Sequence, residues 1–192
     1  ALLASFALET WPSESDAERR ASVLALFGTS ARKTGRYGDA EAALEEARGL
    51  FRLAGLRLRE ADTLYDLASI RAATGDTKAA TATLAAAIEM WGPAHSSTLH
   101  AYALHKLCRF YLEAGEAALA ARAGEAAVEM FTVLEDAGFY VQSLEDLAAC
   151  YAALEDPRAA RRALLQALAA SREIGDTAAL QRLEARLIDV IV

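Results

Sequence analysis

Apolar residues recur along this chain in steps of three and four. Leu24, Phe27, Gly28 and Ala31 form one stripe, and Ala40, Leu44 and Ala47 begin another that runs on to Phe51 and Leu53. At 3.6 residues per turn such steps fall on one helical face, so each stripe predicts an amphipathic helix with one buried side. Thr34-Gly35-Arg36 interrupts the two, and Gly can adopt the left-handed conformation that closes a helix.

The arrangement returns every 40 residues without an insertion. Leu24, Leu64, Leu104 and Leu144 fall in register, with Phe27, Leu67, Leu107 and Leu147 three residues on. Small residues follow at Gly28, Ala68, Cys108 and Ala148, and again at Ala40, Ala80, Ala120 and Ala160. Two antiparallel helices approach closely only where the side chains at their crossing are small, which gives these positions a physical reason. Ala47, Ala87, Ala127 and Ala167 continue the second stripe, while Gly35, Gly75 and Gly115 align with Glu155. In the fourth copy Asp156-Pro157 makes the turn, Asp as cap and Pro in the first helical position. Gly124 stands where Leu44, Leu84 and Leu164 pack, so the third copy's second helix is expected to be shifted or loosely packed.

Four helix pairs follow, as units 17–56, 57–96, 97–136 and 137–176 of a single repeat domain spanning residues 1–192. First helices are predicted at 17–33, 57–74, 97–114 and 140–154, second helices at 38–54, 77–91, 117–136 and 157–174, and a last helix at 177–191. Trp11 aligns with Phe51, Trp91 and Phe131, and Leu8 with Ile88, Val128 and Leu168, so residues 1–14 read as a truncated half-unit. Leu187 falls in register with Leu147, and residues 177–192 read as a capping helix over the fourth unit. A half-unit at one end and no initiator Met give the expectation of a chain excised from a longer protein.

Leu24-x2-Phe27-Gly28-x2-Ala31 followed by Ala40-x3-Leu44-x2-Ala47 resembles the tetratricopeptide repeat. Leu144-x2-Leu147-Ala148-x2-Tyr151 with Ala160-x3-Leu164-x2-Ala167 is similar, and the likeness covers essentially the whole chain. The usual unit has about 34 residues. The longer unit found here looks like the variant repeats of kinesin light chains and of the sensor regions of large bacterial regulators, such as MalT-like and AfsR-like transcription factors and other signal-transduction ATPases. The resemblance implies an all-α fold, an α-solenoid of antiparallel helix pairs wound as a right-handed superhelix. It also implies a concave groove, lined by the first helices, that takes a protein or peptide segment.

Composition agrees with helices. The 192 residues include 47 Ala and 28 Leu against 11 Val and Ile together, and Ala and Leu favour helix where β-branched residues favour strand. Seventeen Arg against 3 Lys would suit a high-GC bacterium. The net charge of −7, with no basic stripe, argues against direct nucleic-acid contact. No apolar run is long enough to span a membrane, and two cysteines point to a reducing, cytoplasmic setting rather than a disulfide framework.

Candidate chemistry is sparse. His95, His100 and His105 are five residues apart, about 140° around a helix, so they share no face and predict no metal site. His95 and His100 read as solvated, and Cys108 as a packed thiol. Glu45-Glu46 and Arg161-Arg162 read as solvated faces. No phosphate loop, dinucleotide fingerprint or zinc spacing occurs, so neither an enzyme activity nor a cofactor is expected.

A surface is the better candidate. Opposite the core, the first helices carry Ser22, Ala25, Thr29 and Arg32; Asp62, Tyr65, Ser69 and Ala72; Tyr102, His105, Arg109 and Leu112; and Gln142, Glu145, Ala149 and Ala152. Of these, Arg32, Asp62, Tyr65, Ser69, Tyr102, His105, Arg109, Gln142 and Glu145 are the candidate ligand-binding residues. Tyr brings amphipathic contact area and Arg a bidentate grip on carboxylates. Against that, Tyr65 and Tyr102 could pack between neighbouring first helices, and Arg32 and Arg109 could pair with Glu113 or Glu145. Three functions are open: a protein- or peptide-binding scaffold, a ligand-sensing regulatory domain of a larger bacterial protein, and a homodimer formed through Leu2, Leu3, Phe6, Leu8 and Trp11 of the half-unit.

Overall fold

The computed structural model describes residues 17–92 and 98–191, with side chains described to residue 188. Among these residues the chain forms nine helices: α1 (Ala17–Lys33), α2 (Tyr37–Leu53), α3 (Arg57–Ala73), α4 (Thr77–Trp91), α5 (Thr98–Glu113), α6 (Ala117–Val133), α7 (Ala137–Ala153), α8 (Pro157–Ile174) and α9 (Thr177–Ile191). The half-unit expected over residues 1–14, the dimer surface read there, and His95 lie outside the described residues. The helices fall into two compact units divided after His95, α1–α4 in the first and α5–α9 in the second.

Successive helices are closed by one recurring turn. Past the end of α1, the Arg36 N–H donates to the Ala31 carbonyl at 2.9 Å, and Asp76, Glu116 and Asp156 repeat this bond to Arg71, Tyr111 and Tyr151. Such a closure puts the preceding residue in the left-handed region, met by Gly35 and Gly75 and, less comfortably, by Glu135 at φ 54° and Glu155 at φ 58°. The next helix then starts at once. Asp76, Asp136, Asp156 and Asp176 each accept the backbone N–H three residues on, at 2.9–3.1 Å. Pro157 stands in the first turn of α8 as expected. The same device corrects two predicted bounds. Glu135 ends α6 at Val133 rather than 136, and the Asp136 cap starts α7 at Ala137 rather than 140.

Within each unit consecutive helices pack in chain order, and the first helices lie side by side, α1 with α3 and α5 with α7. Ala21, Leu24, Ala43, Ala47 and Phe51 form a core between α1 and α2. In the second unit Val141, Leu144, Ala148, Leu164 and Leu168 form another, joined by Ala179 and Leu183 of α9. Each Leu or Phe so buried contributes roughly 1.5–3 kcal/mol.

The small crossing positions hold the helices close. A Cβ on Gly28 would lie 2.5 Å from Leu44 Cγ, so α1 and α2 meet at that point. Gly124 departs from the expectation of loose packing. The α6 helix runs unbroken, and the space where a Gly124 Cβ would stand is met by Cys108 Sγ at 3.1 Å and Leu147 Cδ1 at 3.3 Å. Cys108 is larger than the Gly or Ala found at the same register elsewhere, and it offsets the leucine that Gly124 replaces. Among the described residues no helix is long and apolar enough to cross a membrane.

Candidate functional site

In the first unit the polar residues of α1 and α3 meet across the line where these helices run together. Asp66 is the hub: the Thr29 hydroxyl donates to its Oδ2, and Arg32 Nε lies 3.1 Å from its Oδ1. That ion pair is out of line for a hydrogen bond, so the buried Arg32 Nε–H has no acceptor among the described residues. One turn earlier on α3, Asp62 accepts the indole N–H of Trp91 at 3.0 Å, which satisfies a donor that is otherwise buried. Tyr65 lies over the same indole, ring centroids 6.5 Å apart. Arg59 donates to the Ser22 hydroxyl at 3.4 Å and lays its guanidinium over Phe51, 5.3 Å from the ring centroid. Between these groups is a recess of about 220 Å³, with Ser22, Thr29, Asp62 and Asp66 on its walls and Leu44 and Phe51 beneath.

The second unit repeats the idea with different chemistry. The Tyr102 ring meets Phe139 edge-on at 4.5 Å, and its hydroxyl donates to Asp136 Oδ2 at 3.2 Å. Burial and then the Asp136 carboxylate raise its phenol above the ordinary value. His105 is 7% exposed, with Nδ1 3.1 Å from Ser143 Oγ and 3.7 Å from Asp146 Oδ2. Burial first, then the positive charges of Arg109 and Lys106, lower its pKa to about 4. The imidazole is therefore neutral at pH 7, and its approach to Asp146 is a polar contact rather than an ion pair. Burial also raises the Asp146 carboxyl, against the pull of Arg109.

Ser143, His105 and Asp146 stand together but not as a nucleophile relay. A relay needs the hydroxyl on one ring nitrogen and the carboxylate on the other. Here both approach Nδ1, and Ser143 is 1% exposed. The trio ties α5 to α7. Among the described residues no three His, Cys, Asp or Glu side chains are grouped to hold a metal ion.

The predicted stripe is divided between contact and surface. Ser69 and His105 are buried; Arg32, Asp62, Tyr65, Tyr102 and Glu145 are half-buried; Arg109 and Gln142 are exposed. The face opposite the core is thus partly the seam between neighbouring first helices, because those helices press together along it. Tyr102 packs in that seam, and Arg32 pairs with Asp66 rather than with Glu113 or Glu145. Glu145 accepts from Arg182 of α9 at 3.2 Å. Arg109 makes no hydrogen bond or ion pair among the described residues. His100, expected to be solvated, is 4% exposed, since it stands four and seven residues before Leu104 and Leu107 on the core stripe. Glu46, Arg161 and Arg162 are exposed as expected, with Glu46 paired to Arg20, whereas Glu45 is half-buried and pairs with Arg71. Reading single stripes missed Asp66 and Asp146, which face a neighbouring helix from one residue beyond the stripe.

No protein-family model matches the chain, and no curated protein matches it. Solved structures do. The chain is similar to BtubC from P. vanneervenii, with a TM-score of 0.75, 19% identity, and 87% of this chain against 68% of that one. It is similar to the TPR-like repeats of a protein assigned as a kinesin light chain from Podosopora anserina, with a TM-score of 0.65, 16% identity, and coverage of 91% and 95%. It is also similar to a signal-transduction ATPase with a tetratricopeptide repeat sensor from Pyrococcus horikoshii, with a TM-score of 0.66 and 12% identity, where it covers 91% of its own length and 26% of that chain. At these identities the likeness is one of fold. The chain has the tetratricopeptide-like fold, in the all-α class of solenoids built from antiparallel helix pairs.

Proposed function

We propose that the chain is a non-catalytic interaction module that binds a protein or peptide segment along the first-helix faces of its units. The carrying observation is the recess of about 220 Å³ between α1 and α3, which sets Asp62 and Asp66 above an apolar floor. A cavity of mixed character, with carboxylates already fixed by Trp91, Thr29 and Arg32, can take a side chain without first ordering its own walls. On the second unit, exposed Arg109 offers a charged grip near His105 and Asp146, two turns along α5 from the Tyr102–Phe139 pair. The fold's neighbours support an interaction role of this general kind. The net charge of −7 disfavours nucleic acid as partner, and the reading places the module in the cytoplasm.

Peptides from a random library displayed on phage, selected on the whole chain, supply the probe. Enriched peptides are expected to bind at least about tenfold more weakly to Asp62→Asn or to Arg109→Glu, with helicity unchanged. Equal binding to both variants, or no enrichment, would overturn the proposal.

A second reading, a ligand-sensing regulatory domain, draws support from the likeness to the Pyrococcus horikoshii protein with its tetratricopeptide repeat sensor. It is separated from the first by the parent sequence: an attached ATPase or DNA-binding domain favours it.

A further inference from the structure

The chain's two cysteines, 42 residues apart, meet inside the second unit. Cys108 on α5 and Cys150 on α7 stand with sulfurs 3.7 Å apart and are 1% and 0% exposed. Nothing in the proposed binding role uses them, and no repeat position requires a thiol: other copies carry Gly28, Ala68 and Ala148 where Cys108 stands, and Ser30, Ile70 and Phe110 where Cys150 stands. We propose that this pair is a redox modification site, at which a peroxide converts the two thiols into an intramolecular disulfide joining α5 to α7.

Geometry carries the inference. A disulfide bond is about 2.05 Å long, so the sulfurs have about 1.7 Å to close, a distance within reach of side-chain rotation plus a small approach of neighbouring helices. Cys108 Sγ packs against Gly124, where an added Cβ would stand only 3.1 Å away, so it is held in place beside Cys150. The two thiols are also unequal. The hydrogen bond the two sulfurs share holds the Cys150 thiol below its ordinary pKa, while the same bond and burial push Cys108 up. Cys150 is therefore the sulfur that ionises first.

The chemistry balances with hydrogen peroxide as oxidant. The Cys150 thiolate attacks one peroxide oxygen, the O–O bond breaks, and the departing hydroxide leaves as water with the proton Cys150 released. Cys108 sulfur then attacks the resulting sulfenic sulfur. The S–S bond forms, the S–O bond breaks, and the second hydroxide leaves as water with the Cys108 proton. Two electrons pass from the thiols to the peroxide, and two waters form. Peroxide is small enough to enter through local opening of the helix pair, which a bulky disulfide reagent would do poorly. The product would fasten α5 to α7 one turn from His105 and from Asp146.

The whole reduced chain, treated with equimolar hydrogen peroxide and then unfolded in N-ethylmaleimide, tests this. The expected product is a monomer about 2 Da lighter that takes up no maleimide, with a tryptic fragment linking Cys108 to Cys150. Chain unfolded in urea before oxidation should form the link several-fold more slowly, because the thiols are then no longer neighbours. Cys108→Ser should leave Cys150 as a sulfenic or higher acid with no link. Should that variant misfold, phenylarsine oxide supplies a second reading on the unaltered chain: one arsenic bridging both thiols of the native monomer is expected. Two free thiols after oxidation, a link only between molecules, or separate over-oxidation of each cysteine would overturn the proposal.

Discussion

Glycine has opposite roles at positions 28 and 49. Gly28 lies at the α1–α2 crossing, where an added Cβ would meet Leu44 Cγ at 2.5 Å and the Ala40 carbonyl at 3.2 Å; Gly49, in α2, faces nothing within 4 Å. Gly28→Ala must push the helices apart and is expected to cost about 1–3 kcal/mol. Gly49→Ala removes only the entropic penalty of Gly in a helix and should gain about 0.5–1 kcal/mol. Urea denaturation of the two variants compares them directly, and equal effects would contradict the close crossing. His105 supplies a second prediction at this scale. Its folded pKa of about 4 lies below the ordinary value of 6.5, so between those values the unfolded chain binds more protons. Its contribution, of order 2–3 kcal/mol, is complete above pH 6.5 and is lost as the pH falls toward 4. The raised carboxyl of Asp146 opposes this with the other sign, only at the acid end. Stability measured from pH 7 to 4 should fall less steeply in His105→Gln than in the unaltered chain; identical slopes would contradict a buried neutral imidazole.

Helices are the scale at which the sequence was most legible. The three-and-four periodicity placed every described helix to within about three residues, because each buries one continuous apolar face. The joints it found only in part. Gly35, Gly55, Gly75, Gly115 and Gly175 all take positive φ, with Glu135 and Glu155 on the same 20-residue spacing. That spacing is half the repeat and marks every closure between described helices except the one between α4 and α5, where Gly92 takes positive φ. Only alternate members stood out, since comparing whole units aligns first helices with first helices. Position 135 carries no Gly to announce a turn, so α6 and α7 were misplaced by three residues. Glu155, like Glu135, is then a strained joint to relieve. Glu155→Gly removes a side chain from the left-handed region and is expected to stabilise by about 0.5–1 kcal/mol, or roughly 1–4 °C in Tm. A Tm lowered by this change would show that the Glu155 side chain contributes more than its backbone costs.

At the scale of the whole molecule the repeat acts as a lattice, and the lattice holds what single stripes concealed. Polar partners on neighbouring first helices are separated by 37 residues in Ser22–Arg59, Thr29–Asp66 and Glu145–Arg182. Partners on consecutive helices are 26 apart in Arg20–Glu46, Glu45–Arg71 and Glu125–Tyr151. Asp66 and Asp146 were not legible from one stripe because their partners lie a repeat away, on a helix displaced by less than a full unit. Searching for complementary polar pairs at these two spacings would have found Asp66. The cysteine pair, 42 apart, follows neither spacing and needed the packed helices to be seen. What the lattice leaves on the first helices is a set of faces whose polar groups are held in place, which is the basis of the proposed binding role. Amide hydrogen exchange of the whole chain with and without a selected peptide tests that role most directly. The account predicts added protection in α1 and α3, or in α5 and α7, with α2, α4, α6 and α8 unchanged; protection confined to the second helices would contradict it.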